Sequence, residues 1–203
     1  MGAQGYHATG TFEVPAQGIS GSFETYAAPP NRITYTADIP GLGAVGGGYD
    51  GTTGWSLNPA TGPMVLDGRM LEQMQQQANF HAALHGEEYV ASMETLAEAD
   101  FEGVACYKVK IVTTWGEEYF EFFDRESGLL IGSVRQTATP MGELEATTVL
   151  SDYGDAGGLR IPMKTTQRVM GFDQVITITA VEPMTVPDST FALPPEIQEM
   201  VRG

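Results

Sequence analysis

His81 and His85 stand four residues apart at the end of a helical pattern, which sets both imidazoles on one helix face, with Glu87 and Glu88 close behind. Two imidazoles and a carboxylate are a minimal ligand set for a hydrolytic metal ion. The glutamate that follows the first histidine in a helical zinc-peptidase motif is replaced here by Ala82. Solvated histidines near a helix C-terminus, where the dipole favours positive charge, explain the pair equally well. No Gly-x-Ser-x-Gly elbow or Cys-x-x-Cys pair occurs, and Gly46-Gly47-Gly48 sits in strand context with no helix after it, unlike a phosphate-cradling loop. Nothing in the spacing of the 26 acidic residues selects a pair for acid–base work. The expectation is a protein that is not an enzyme and carries no cofactor, with His81 and His85 kept as the alternative metal site.

The remaining chemistry is apolar and aromatic: ten Met, nine Phe, eight Tyr and two Trp. Tyr107, Val109 and Ile111 share one strand face, with Trp115 just beyond, and Phe120 and Phe122 share a face on the next strand. Trp55, Met70, Met74, Tyr107, Trp115, Phe120 and Phe122 are the candidate lining of an apolar binding cavity. Ordinary core packing is the competing reading for each of them.

Short β-type runs punctuated by Gly and Pro must position these groups. Strands are predicted at 7–14, 19–27, 32–39, 45–49 and 53–57. In 32–39, Ile33, Tyr35 and Ala37 alternate with Thr34, Thr36 and Asp38, the period of a sheet with one wet face. Asp67 is a good N-cap for one helix that runs through Met70, Leu71, Met74, Ala78 and Ala82 and stops before Gly86. The stretch 88–98 reads as helix or strand, with strand favoured around 93–96. Further strands follow at 105–114, 118–124, 129–138, 143–153, 162–170 and 174–182, joined by turn chemistry that makes neighbours antiparallel. Prolines 187, 194 and 195 punctuate a tail expected to fold back over a sheet edge. The fold class is mainly β with some α: one curved antiparallel sheet packed against one main helix, forming a single domain across 1–203.

The formal net charge of −16, from 26 acidic and 10 basic residues, repels phosphate backbones and argues against nucleic acid as a partner. Cys106 is alone in an apparent strand and reads as a buried thiol. No run approaches the ~20 apolar residues of a transmembrane helix, and residues 1–10 lack the pattern of a signal peptide.

Gly-Tyr-Asp-Gly-Thr-Thr-Gly-Trp at 48–55, Asp-Phe-Glu-Gly at 100–103 leading into Tyr107-Lys108-Val109, and Phe-Phe-Asp-Arg-Glu-Ser-Gly-Leu-Leu at 122–130 together resemble the outer-membrane lipoprotein-sorting (LolA/LolB-like) superfamily. Asp152-Tyr153, Gly-Leu-Arg-Ile-Pro at 158–162 and Pro-Asp-Ser-Thr-Phe-Ala-Leu-Pro at 187–194 continue the likeness over most of the chain. The resemblance implies an unclosed β-barrel wrapped over helices, a hydrophobic small molecule or acyl chain as ligand, and a periplasmic or otherwise exported location. It also leaves room for a second role, as a protein-interaction domain with a filled half-barrel that meets another envelope protein.

Overall fold

A computed structural model describes residues 5–80, 89–156 and 158–202. Among them, thirteen strands form one antiparallel sheet: β1 (Tyr6–Val14), β2 (Ile19–Ala28), β3 (Arg32–Ile39), β4 (Gly43–Tyr49), β5 (Gly54–Asn58), β6 (Gly62–Val65), β7 (Val90–Phe101), β8 (Val104–Thr113), β9 (Glu118–Asp124), β10 (Leu130–Thr139), β11 (Gly142–Ala156), β12 (Leu159–Val169) and β13 (Phe172–Pro183). Helix α1 (Gly68–Ala78) connects two meanders, β1 to β6 and β7 to β13, and the C-terminal helix α2 (Pro195–Arg202) ends the chain's described part. The meanders join where β1 pairs with β13, giving the order β6-β5-β4-β3-β2-β1-β13-β12-β11-β10-β9-β8-β7. The sheet is unclosed, a curved half-barrel with α1 on one face: alternation and turn chemistry predicted the antiparallel sheet, and the resemblance implied the unclosed barrel.

Pairing register assigns every strand residue to a face. Ile33 pairs with Ala27 and Tyr49, and these three pack with Leu66, Met74 and Ala78 beneath α1, so they define the inner face. The predicted alternation of β3 is realised: Ile33, Ala37 and Ile39 are buried, and Asp38 is exposed. Gly46-Gly47-Gly48 turns out to be a seat for rings. A Cβ on Gly47 would lie 2.6 Å from Tyr35 Oη on the inner face, and one on Gly48 would lie 3.0 Å from Cζ2 of Trp55 on the outer face. Cys106 is fully buried, as expected, and its thiol donates to Ala99 O at 3.3 Å.

Three elements depart from or sharpen the sequence expectation. Helix α1 ends at Ala78, where Asn79 takes an extended backbone (ψ 105°) at the C-cap, and Ala82, to which the helix was expected to run, lies outside the described residues; Asp67 holds the N-cap position without a side-chain cap bond. The ambiguous stretch is strand from Val90, as favoured around 93–96, and runs on to Phe101, while Glu88 lies outside the described residues. β6 was not foreseen, since Pro63 within four residues argues against a strand except at an edge, which is where β6 lies.

The two edges are managed differently. The tail folds back so that α2 touches β6. β7 instead carries register shifts between Val90 and Ser92 and between Thr95 and Ala97, with Glu94, Glu98 and Asp100 along it. Bulges and charge are the devices that discourage edge-to-edge association.

The outer face has a small core of its own. Phe101, at the tip of the β7–β8 hairpin, stacks on Phe122 at 4.2 Å, and Cys106, Phe120, Ile131, Val134 and Val149 complete the cluster. Asp100 fixes the tip by accepting the Gly103 N–H at 3.0 Å, and Glu102 meets Arg168 of β12 at 3.1 Å. Phe101 fits only because β10 has no side chain at Gly132, where a Cβ would fall 2.3 Å from the ring and equally close to Thr148 O. Gly132→Ala is therefore expected to destabilise the fold by about 1–3 kcal/mol, an overpacking cost. A urea titration of both proteins reads this directly.

Candidate functional site

Helix α1 packs mainly on β3, β4 and β5 on one flank and on β10 on the other. Five strands, β2, β1, β13, β12 and β11, lie between those flanks in the sheet. The helix thus bridges a trough whose floor is the inner face of these strands. Phe12, Leu150, Ile176 and Ile178 belong to that floor by register and are half-buried.

The predicted site residues divide between the two faces. Met74 is buried and Met70 half-buried in the cluster beneath α1. Trp115, in the β8–β9 turn, sits edge-on to Tyr89 at 5.8 Å, and its Nε1 donates to Glu117 at 3.4 Å. Tyr107 is on the inner face but near the β7 edge, 41% exposed, with the Arg125 guanidinium 5.7 Å from its ring. Trp55, Phe120 and Phe122 lie on the outer face. Trp55 pairs with Gly48 and Val65, while Phe120 and Phe122 pair with Lys110 and Lys108. Alternation within a strand groups Phe120 with Phe122 but leaves open which way the row points; only register with β8 places it opposite Tyr107 and Val109. His81, His85, Glu87 and Glu88 lie outside the described residues.

Sequence reasoning missed the polar groups that hold the helix. Glu117, whose side chain is 2% exposed, accepts from Arg135 Nε at 3.2 Å and from Arg135 Nη2 at 3.0 and 3.1 Å. The same Nη2 donates to Gln76 Oε1 of α1 at 2.9 Å, and the guanidinium lies 4.8 Å from the Tyr119 ring centroid. Arg69, at the start of α1, lies 3.9 Å from Glu117 and 3.0 Å from Glu143.

Gln73 acts as a surrogate strand. β9–β10 pairing stops at Val134, and beyond it the Gln73 amide donates to Gln136 O at 3.0 Å and accepts the Ala138 N–H at 3.0 Å. Gln75 donates to Tyr49 Oη at 3.1 Å. The run of glutamines visible in the sequence was the available signal, since amides on the sheet-facing side of a helix have to find partners.

Burial raises the phenol pKa values of Tyr6 and Tyr35 beneath the helix. Burial also raises the Glu121 carboxyl above its ordinary value, an effect that nearby Arg135 partly offsets. The inner face therefore combines an apolar floor with one buried, satisfied ion pair.

This architecture defines a class: an open antiparallel half-barrel bridged by a helix. No family model matches the sequence, and no curated protein does. Solved structures do match in shape. A LolA superfamily protein from Nitrosomonas europaea aligns with a TM-score of 0.59 at 13% identity, over 95% of this chain and 90% of that one. A DUF1329 family protein from Desulfovibrio piger gives 0.64 at 13% identity over 94% and 90%. A putative outer membrane lipoprotein-sorting protein domain from Vibrio parahaemolyticus gives 0.59 at 12% identity over 93% and 89%. The chain has a LolA-like fold. Among the described residues, no helix is long and apolar enough to cross a membrane.

Two outcomes test the site's electrostatics. Arg135→Met removes the closest cation from buried Glu117, leaving it the Trp115 Nε1 bond and Arg69 at 3.9 Å, and is expected to cost at most about 3–5 kcal/mol in chemical denaturation. Glu121 binds a proton more readily folded than unfolded, so its contribution favours the fold at low pH and fades as pH rises from the ordinary carboxylate value through the raised one. Glu121→Gln should therefore match the parent in thermal stability at low pH and exceed it at neutral pH.

Proposed function

We propose that this chain is a binding or carrier domain, not an enzyme, for a lipid-like or other hydrophobic ligand in the cell envelope, captured in its closed form. The observation that carries this reading is the manner of attachment of α1. Only Met74 and Ala78 of the helix are buried, and Gln73, Gln75, Gln76 and Arg69 tether it through side-chain bonds. Such bonds exchange for water at a net cost of only about 0.5–1.5 kcal/mol each. A ligand that replaced the apolar contacts of Met70 and Met74 would compensate for much of the loss when the helix lifts. The likeness to lipoprotein-sorting structures supports an acyl chain as one such ligand and an exported location.

A second reading is favoured by a separate observation. Two hollows formed by the described residues lie outside the trough, one of about 290 Å³ beside α2 and one of about 190 Å³ on the outer face. Tyr6, Tyr35 and Phe80 occupy space beneath the helix. A half-barrel that stays filled in this way would serve instead as a domain that meets another envelope protein.

Native mass spectrometry with organic-solvent extraction separates the two. A stoichiometric apolar adduct, or saturable binding of an anilinonaphthalene probe, is the result expected of a carrier. A clean apo mass with no probe binding would leave the interaction domain. In the Gln73→Ala/Gln76→Ala double variant, probe association is expected to quicken several-fold, since two tethers of about 1 kcal/mol each are removed.

A further inference from the structure

We infer that the outer-face hollow between β2, β3 and the C-terminal tail is a binding site for an alkylammonium group, of the kind carried by a lysine side chain. The hollow holds about 190 Å³, and the side chains of Glu24, Tyr26, Thr34, Thr36 and Thr190 are among its lining, whereas the ring of Tyr35 between the two threonines faces α1. Register fixes its floor: Glu24 lies beside Thr36 and Tyr26 beside Thr34, on the face away from α1. Thr190, in the 3₁₀ turn Asp188–Phe191, supplies a wall from the tail. Threonines are common on any wet strand face, and the floor alone would carry no meaning. The wall makes it a concavity with a carboxylate, a phenol and three hydroxyls around it.

Charge selects the ligand. His7 stacks flat on Tyr26, with ring centroids 4.2 Å apart, and its Nε2 lies 3.4 Å from Glu24 Oε2. Arg32, on the same face of β3 as Thr34, is drawn off by the tail: Asp188 binds its Nη1 at 2.6 Å, and the Phe191 ring lies 4.8 Å beneath it. Glu24 is thus left as the charge that sets the potential of the hollow. Tyr26 registers that field, since burial and then the Glu24 charge and hydrogen bond raise its phenol pKa. A carboxylate with hydroxyl oxygens around it satisfies the three N–H donors of an ammonium, and the −16 charge of the chain concentrates cations near its surface. This site is separate from the trough beneath α1 and stands whether or not an apolar ligand binds there.

The test is a heteronuclear NMR titration of the intact chain with n-butylammonium and, in parallel, with N-acetyl-Gly-Lys-Gly-amide. Saturable shifts centred on the amides of Glu24, Tyr26, Thr34, Thr36 and Thr190 are expected, with half-saturation at about 1–10 mM, the range of a single polar contact site. Glu24→Gln should weaken binding at least tenfold, while Glu13→Gln, which removes one charge elsewhere on β1, leaves it unchanged. Equal affinity for the two probes assigns the site to free amines, and tenfold preference for the peptide assigns it to a lysine of a polypeptide partner. Shifts spread evenly over the acidic surface, or an undiminished response in Glu24→Gln, would overturn the inference. Half-exposed Glu24 sits outside the core, and Thr36→Val offers a second variant should the first fold poorly.

Discussion

The inner face is organised around one buried carboxylate. Glu117 sits almost out of reach of solvent, and a lone charge there would be costly, so Arg135 must face it and Thr113 must offer its hydroxyl to the Glu117 N–H at 2.9 Å. Once Arg135 is fixed by two of its nitrogens, its remaining hydrogen-bonding capacity points at α1, and Gln76 takes it. The position of the helix thus follows from the requirement to satisfy a charge, as much as from the apolar cluster on its other flank. A helix held in this way is well placed but weakly sealed, which is the property a reversible cover needs.

Much of the fold was legible because the sheet obeys local rules. β3 and β9 occupy the residues their alternation marks, and the turn residues between strands set an antiparallel order. The site was less legible. Alternation grouped Phe120 with Phe122 and Tyr107 with Val109, yet the face each row takes depends on cross-strand register, a long-range property that single-strand patterns do not encode. Glu117 and Arg135 are 18 residues apart and Gln76 is 59 from Arg135, so no spacing rule links them. Trp55 was drawn towards a cavity by its size, whereas the bare backbone of Gly48 is what receives it.

The resemblance motifs acquire physical roles in the structure. Asp100-Phe101-Glu102-Gly103 is a hairpin tip clipped onto the outer face, and Asp124-Arg125-Glu126-Ser127-Gly128 is a turn in which Asp124 accepts N–H bonds from Glu126 and Ser127 at 3.2 and 3.3 Å. The Ser127 hydroxyl also donates to Asp124, and that bond, followed by the N–H bonds, lowers the Asp124 pKa. Asp188 and Phe191 of the tail motif hold Arg32. These three motifs secure the scaffold rather than line the trough, so they speak to the fold and not to a ligand.

The claim that α1 is a reversible cover is tested most directly by native-state hydrogen exchange. If the polar tethers are what hold it, amides of α1 and that of Ala138, bonded to Gln73, will exchange together in a sub-global opening of lower free energy than the amides of β3, β4 and β12. Exchange of α1 in step with those strands, at the free energy of global unfolding, would show instead that the helix is an inseparable part of the core and would contradict the closed-carrier reading.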